Sequence, residues 1–133
     1  MGSEFIDMTL EDQSAKLKAF AIERDWEQFQ SPKNLSMALI VEAAELVEHF
    51  QWLTQQQSVD VSLDKDSQKY REIALEMADI LAYLLLIAEK MDVDLLASLK
   101  EKIEINEQRY PADKVRGSAK KYSEFQKENN RES

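Results

Sequence analysis

Two long apolar stretches of this chain each contain a pair of acidic residues. Residues 35–52 read LSMALIVEAAELVEHFQW, with Glu42 and Glu45 inside, and residues 75–91 read LEMADILAYLLLIAEKM, with Glu76 and Asp79 inside. At 100° per residue, each pair falls on one strip of a helix whose other faces are largely apolar. Such helices are typical of the centre of a bundle. The fold must therefore place four carboxylates close to a core that disfavours charge.

Scarce turn residues indicate that the rest of the chain is helical as well. Its 133 residues include only two glycines and two prolines, and 44% are hydrophobic, which suits one domain with a core. We predict an all-α, four-helix bundle. Periodicity and capping residues predict helices at about 10–29, 32–53 and 67–91, with a loop at 54–67. A fourth helix is predicted between a cap at Asp92 or Asp94 and a stop at Pro111.

Both ends of the chain are expected to lie outside the helical domain. Residues 1–7 resemble an expression-vector scar, residues 8–111 form the predicted domain, and residues 112–133 form a polar tail.

The net charge of −9 argues against a polymeric nucleic-acid partner, whose phosphates would repel the protein. The sequence has no cysteine, no apolar signal segment and no run long enough to span a membrane, which favours a cytoplasmic protein without a membrane partner.

The four carboxylates need a compensating charge if they converge between the two helices. Burying an unpaired carboxylate costs several kcal/mol, and neighbouring carboxylates raise one another's pKa. Neither strip supplies a lysine or arginine beside the acids. A hard divalent cation that prefers oxygen ligands, Mg²⁺ or Mn²⁺, would provide the compensation. The alternative is that both strips are solvated faces of a bundle, although two acidic pairs in apolar helices favour the metal site.

These residues and their surroundings resemble the MazG-like, all-α nucleoside triphosphate pyrophosphohydrolases. The spacing Glu42-x-x-Glu45 and Glu76-x-x-Asp79 matches the metal motif of that family. The segments ERDWEQF, PKNL, EAAELVEHFQW, EMADILAYLL and KIEINEQRYPA are similar to its dCTP pyrophosphatase branch and to the integron-associated MazG type. The resemblance implies cleavage of a deoxynucleoside triphosphate, with dCTP-like preference, to the monophosphate and pyrophosphate in nucleotide-pool house-cleaning. It implies that the four carboxylates hold Mg²⁺, and that Glu42 or Glu45 activates water.

The resemblance also implies a substrate site around the metal motif. The aromatic residues that would surround the base or sugar are Trp26, Trp52 and Tyr83. The residues that would contact the substrate from the fourth helix are Lys102, Asn106, Arg109 and Tyr110. The tail residues that would close over the phosphates are Lys120, Lys121 and Tyr122. Core packing and a solvated helix face are the alternatives for these side chains. The relatives assemble as dimers or tetramers with sites at subunit interfaces, so we expect a homodimer or homotetramer.

Three alternative hypotheses remain at this stage. The same chemistry could act on dUTP or on modified deoxynucleoside triphosphates. The chain could instead be a non-catalytic helical interaction module, with the acids at its surface. A di-iron carboxylate bundle is disfavoured, because that class uses Glu-x-x-His pairs from facing helices and this sequence contains none.

Overall fold

Helices make up the regular structure of this chain in its computed structural model, which describes residues 8–118 together with Glu124, Lys127 and Arg131. The α-helices are α1 Leu10–Glu23, α2 Pro32–Glu48, α3 Gln55–Asp60, α4 Gln68–Met91, α5 Leu95–Arg109 and α6 Ala112–Val115. Short 3₁₀ turns follow α1 and α3, at Glu27–Phe29 and Val61–Leu63. No strand occurs in these described residues, so the predicted all-α class is confirmed.

The first helix ends earlier than predicted. α1 stops at Glu23 and not near Phe29, because Asp25 takes a left-handed conformation with a φ of 55°. The amides of Asp25 and Trp26 donate to carbonyls in the last turn of α1 at 3.0 and 2.9 Å, which is the pattern of a Schellman cap. Aspartate tolerates the left-handed region better than most residues, so the chain turns here without a glycine.

The segment after α2 also differs from the prediction. α2 ends at Glu48 and not near residue 53, because the amides of His49 and Phe50 bond to carbonyls three residues back. The loop predicted at 54–67 is wrong in part, since it contains α3. The Thr54 hydroxyl accepts from the Gln57 amide at 3.1 Å, and the Gln57 side chain accepts from the Thr54 amide at 2.9 Å. This capping box starts a helix in a segment whose polar composition had suggested none.

The central feature of the fold is the pairing of α2 with α4, and α1 packs on α4 as well. Glu45 of α2 lies beside Glu76 of α4, whereas Ala38, seven residues earlier, shares a pocket with Tyr83, seven residues later. The two helices are therefore antiparallel. The most buried apolar side chains of the described chain are Ala21, Leu35, Ile73, Leu85, Leu86 and Ala88, so α4 supplies most of this core.

The chain divides into two compact units, one up to Val93 and one from Asp94 onward. The first contains α1 to α4, and the second contains α5 and α6. α4 ends at Met91 and is followed by Asp92, whose φ is 53°. The Asp94 carboxylate caps α5 by accepting from the Ala97 amide at 3.0 Å. The domain boundaries given above stay a prediction, because compactness does not show which part folds alone. Among the described helices, none is both long and apolar enough to cross a membrane.

Packing of the α4 core can be tested with one pair of matched substitutions. Leu85 is 7% exposed, and Leu63, in the 3₁₀ turn after α3, is 80% exposed. We expect Leu85→Ala to lower the free energy of unfolding by about 2–5 kcal/mol, because it leaves a cavity. Leu63→Ala should change it by less than about 0.5 kcal/mol. Urea denaturation measures both, and equal effects would contradict the described core.

Candidate active site

Three carboxylates from α2 and α4 meet between the helices. One oxygen from each of Glu42, Glu45 and Glu76 lies within 4.8 Å of the other two, and all three side chains are half-buried. Hard divalent cations bind oxygen ligands at about 2.0–2.6 Å, so two ligands of one ion are at most about twice that distance apart. The separation of these oxygens therefore suits a single shared cation.

The surroundings of Glu42 favour its neutral form. The pKa of Glu42 is raised from 4.5 to about 7. Burial is the largest cause, followed by contact with the Glu45 and Glu76 carboxylates and by the charges of Glu45 and Asp79. The Oε2 atoms of Glu42 and Glu76 are buried and have no hydrogen-bond partner among the described residues. Buried acceptors without a donor are unfavourable. A cation would satisfy both oxygens, so the donor set fits a hard divalent metal.

Asp79 lies at the edge of this cluster. It follows Glu76 by three residues on the same strip of α4, but its side chain is exposed and it is outside the group of converging oxygens. Its negative charge nevertheless contributes to the raised pKa of Glu42. Its role as a direct metal ligand stays a prediction.

A pocket of about 270 Å³ opens next to the carboxylates. Its lining residues are Trp26, Phe29, Gln30, Asn34, Leu35, Ala38 and Tyr83. Ala38 lies one turn before Glu42 on α2, and Tyr83 lies one turn after Asp79 on α4. One helical turn rises by about 5.4 Å, so the pocket and the acids lie side by side along the same pair of helices.

The cap of α1 determines where Trp26 lies. The left-handed Asp25 reverses the chain, and the Gln28 side-chain amide donates to the carbonyl and carboxylate oxygens of Asp25 at 3.0 and 2.9 Å. The Trp26 ring contacts the Phe20 ring edge-on, with 5.7 Å between the ring centroids. The Arg24 guanidinium lies over the Phe20 ring, 3.5 Å from its centroid. These contacts hold Trp26 as a wall of the pocket.

The start of α2 fixes another wall. The Ser31 hydroxyl caps the helix by accepting from the Asn34 amide at 3.2 Å. The Asn34 side-chain nitrogen donates to the Phe29 carbonyl at 2.9 Å, which ties the first turn of α2 to the preceding 3₁₀ turn. The backbone on both sides of Gln30 is thereby held in place.

Five of the lining residues were not predicted from the sequence. They are Phe29, Gln30, Asn34, Leu35 and Ala38. Helical periodicity could have predicted Ala38, because it lies four residues before Glu42 on the same strip of α2. Gln30 lies in an irregular connection between two helices, where periodicity carries no information.

Five other predicted site residues are not among those that line the pocket. Trp52 follows α2, is 87% exposed and does not line the pocket. Lys102, Asn106 and Arg109 belong to α5, and Tyr110 is the residue that ends it, all within the second compact unit. The substrate contacts of these five residues stay predictions. The predicted tail residues, Lys120, Lys121 and Tyr122, lie outside the described residues.

Comparisons with known proteins identify the family of this chain. Residues 37–125 match the model of the MazG-like family. Human dCTP pyrophosphatase 1 is 43% identical over 120 residues, which cover 88% of this chain and 68% of the human protein. The rat dCTP pyrophosphatase 1 is 41% identical with the same coverage. The chain therefore belongs to the MazG-like family, and the resemblance seen in its motifs is confirmed.

A solved structure shows the same relationship. The crystal structure of a pyrophosphatase from Archaeoglobus fulgidus superposes on this chain with a TM-score of 0.69 at 33% sequence identity. The match covers 77% of this chain and 92% of the archaeal one.

The raised pKa of Glu42 predicts how pH changes the stability of the metal-free protein. Its pKa is about 7 in the folded state against 4.5 ordinarily, so between these values the folded state binds more protons than the unfolded state. The contribution of Glu42 to the free energy of unfolding is therefore greatest below about pH 4.5 and is lost as pH rises through about 7. Urea denaturation with EDTA at about pH 5 and about pH 8 measures this loss.

Glu42→Gln should reduce that loss, because a glutamine does not titrate. Glu48→Gln, at an exposed position of the same helix, is the matched control and should behave like the wild type. An unchanged pH dependence in Glu42→Gln would contradict the described environment of this residue.

Proposed function

We propose that this protein is a divalent-metal-dependent pyrophosphohydrolase that converts a deoxynucleoside triphosphate, with a preference for dCTP-like bases, to the monophosphate and pyrophosphate. The chain is an enzyme of the nucleoside triphosphate pyrophosphatase class. The observation that carries the proposal is the group of three converging carboxylates with two partnerless buried oxygens, beside a pocket with aromatic walls. The names of its relatives support the choice of substrate class.

The two parts of the site suit the two parts of such a substrate. Aromatic side chains offer a planar base stacking surfaces, and Trp26, Phe29 and Tyr83 are available in the pocket. A triphosphate attached to that nucleoside would extend along the helix pair towards the acids, about one turn away. Tyr83 lines the pocket one helical turn after Asp79 and would contact the sugar, where a ring near the 2′-carbon would disfavour a ribose hydroxyl.

The carboxylates would take two different roles. Bound Mg²⁺, or Mn²⁺ in its place, would neutralise the triphosphate and polarise the α-phosphoryl group. Glu42, Glu45, Glu76 and Asp79 would hold the ion. Glu42 or Glu45 would also accept a proton from water while the water oxygen bonds to the α-phosphorus. The bond from that phosphorus to the bridging oxygen then breaks, and pyrophosphate leaves.

Basic residues would complete the phosphate site. Lys102, Asn106 and Arg109 follow one another at spacings of four and three on α5, so they share one face of that helix. We propose that this face, with Tyr110 and the tail residues Lys120, Lys121 and Tyr122, contacts the phosphates. Trp52 would contact the base of a substrate in a neighbouring subunit. The protein would act in house-cleaning of the cytoplasmic nucleotide pool.

We also propose that the protein assembles as a dimer or a dimer of dimers. Met37, Ile40 and Val47 form an exposed apolar strip on α2, on a face largely opposite the acids. An uncovered strip of this kind marks an interaction surface. A second copy of the chain would cover it.

Loss of a carboxylate should abolish hydrolysis. We expect Glu42→Gln, Glu45→Gln and Glu76→Gln to lower kcat/KM for dCTP with Mg²⁺ by at least about 100-fold, the scale of losing one preorganised electrostatic contact. Glu48→Gln should keep wild-type activity. The assay separates products by chromatography and identifies monophosphate plus pyrophosphate. Release of dCDP and inorganic phosphate, or full activity in all three variants, would contradict the proposal.

A charge in the apolar strip should weaken the assembly. Ile40 is 64% exposed in the single chain, so Ile40→Glu should leave the subunit folded but bury a charge in the proposed interface. We expect the sedimentation coefficient to fall to that of a smaller species, with an unchanged circular dichroism spectrum. A wild-type protein that sediments as a monomer would contradict the proposed assembly.

A further inference from the structure

A buried polar atom in the pocket has no partner and takes no part in the proposed metal chemistry. The Oε1 atom of Gln30 is buried and accepts no hydrogen bond from the described residues. Gln30 directly follows the 3₁₀ turn Glu27–Phe29, and it is one of the residues that line the pocket. A buried acceptor of this kind is unfavourable unless a donor reaches it, so a ligand in the pocket should bring an N–H or O–H group to it.

Asn34 supplies a second acceptor to the same pocket. Its side-chain nitrogen is committed to the Phe29 carbonyl at 2.9 Å. The amide therefore cannot rotate by 180° without breaking that bond, and its oxygen remains available as an acceptor in a residue that lines the pocket. No described residue donates to this oxygen. Gln30 and Asn34 together offer a ligand two amide oxygens.

Two acceptors distinguish between the edges of nucleobases. The amino group of cytosine is a hydrogen-bond donor, whereas thymine has an acceptor carbonyl at the corresponding position. Gln30 alone would not separate the two, because its amide can rotate and offer a donor to a carbonyl. The anchored amide of Asn34 removes this ambiguity, since its oxygen would face a carbonyl oxygen without a proton between them. The pocket, at about 270 Å³, has room for a single-ring base.

We propose that Gln30 and Asn34 are specificity-determining residues that recognise the exocyclic amino group of an aminopyrimidine base. Deoxynucleoside triphosphates with this amino group are then preferred over those with a carbonyl in its place. This inference rests on the proposed function, because it requires the base of the substrate to enter this pocket.

The test removes each partner of the proposed hydrogen bond separately. The substrates are dCTP, its pyrimidin-2-one analogue without the amino group, and dUTP. The variant is Gln30→Met, which keeps an unbranched side chain without a strong acceptor. Gln55→Met, at an exposed glutamine of α3, is the matched control. Steady-state pyrophosphate release gives kcat and KM for each combination.

The wild type and the control should lose about tenfold or more in kcat/KM when the amino group is absent, because the buried Gln30 oxygen is then left unpaired. The loss should be in KM, since the base edge is contacted equally in ground state and transition state. In Gln30→Met the ratio of kcat/KM for dCTP to kcat/KM for the analogue should fall at least about threefold. The reason is that removing the amino group and removing its acceptor are not additive when the two groups are in contact. A ratio unchanged from the wild type would overturn the inference.

Binding of the monophosphate products separates this inference from the proposed function. Calorimetry should show that the wild type binds dCMP more tightly than dUMP, and that Gln30→Met has lost most of this preference. A protein inactive on every triphosphate but with this pattern would contradict the proposed function and support recognition of the amino group. Equal wild-type affinities for dCMP and dUMP would overturn the inference. Gln30→Ala replaces Gln30→Met if circular dichroism shows that the methionine variant is misfolded.

Discussion

Mutual repulsion of carboxylates between two apolar helices is the constraint on which this structure depends. α2 and α4 are antiparallel, so residues near the middle of each helix meet, and these residues include Glu42, Glu45 and Glu76. Without a cation, burial together with the neighbouring carboxylates raises the pKa of Glu42 to about 7, and two buried oxygens have no partner among the described residues. A positive ion between α2 and α4 would offset the repulsion and pair both oxygens. Ion binding would therefore also stabilise the packing of the two helices.

The same helix pair connects the acids to the pocket. Each helix carries pocket and acid residues one turn apart, and the chain between α1 and α2 adds the remaining walls. Local contacts fix the course of that connection, because Asp25 turns the chain and the Asn34 side chain holds the 3₁₀ turn against α2. In the proposed function, a nucleoside would therefore meet the aromatic walls and its phosphates would meet the acids along the same pair of helices.

The sequence predicted those parts of the molecule that follow from helical periodicity. The all-α class, the order of the four long helices and the shared strip of each acidic pair come from spacing and composition alone, and Tyr83 was placed beside Asp79 in the same way. The positions that it missed depend on non-periodic structure. Asp25 is an aspartate in a glycine-like conformation, the capping box of α3 lies in a polar segment, and Gln30 lies in a connection. The prediction that Trp26 lies near the base came from the family resemblance and not from periodicity, and the structure shows that Trp26 lines the pocket.

The central claim is that the three converging carboxylates are a divalent cation site, and a crystal soaked in Mn²⁺ tests it most directly. An anomalous difference map locates manganese without reference to activity or substrate. The account predicts a peak between α2 and α4 within about 2.0–2.6 Å of carboxylate oxygens from Glu42, Glu45 and Glu76. A map with no peak there at saturating Mn²⁺, with the three side chains unchanged in position, would contradict it.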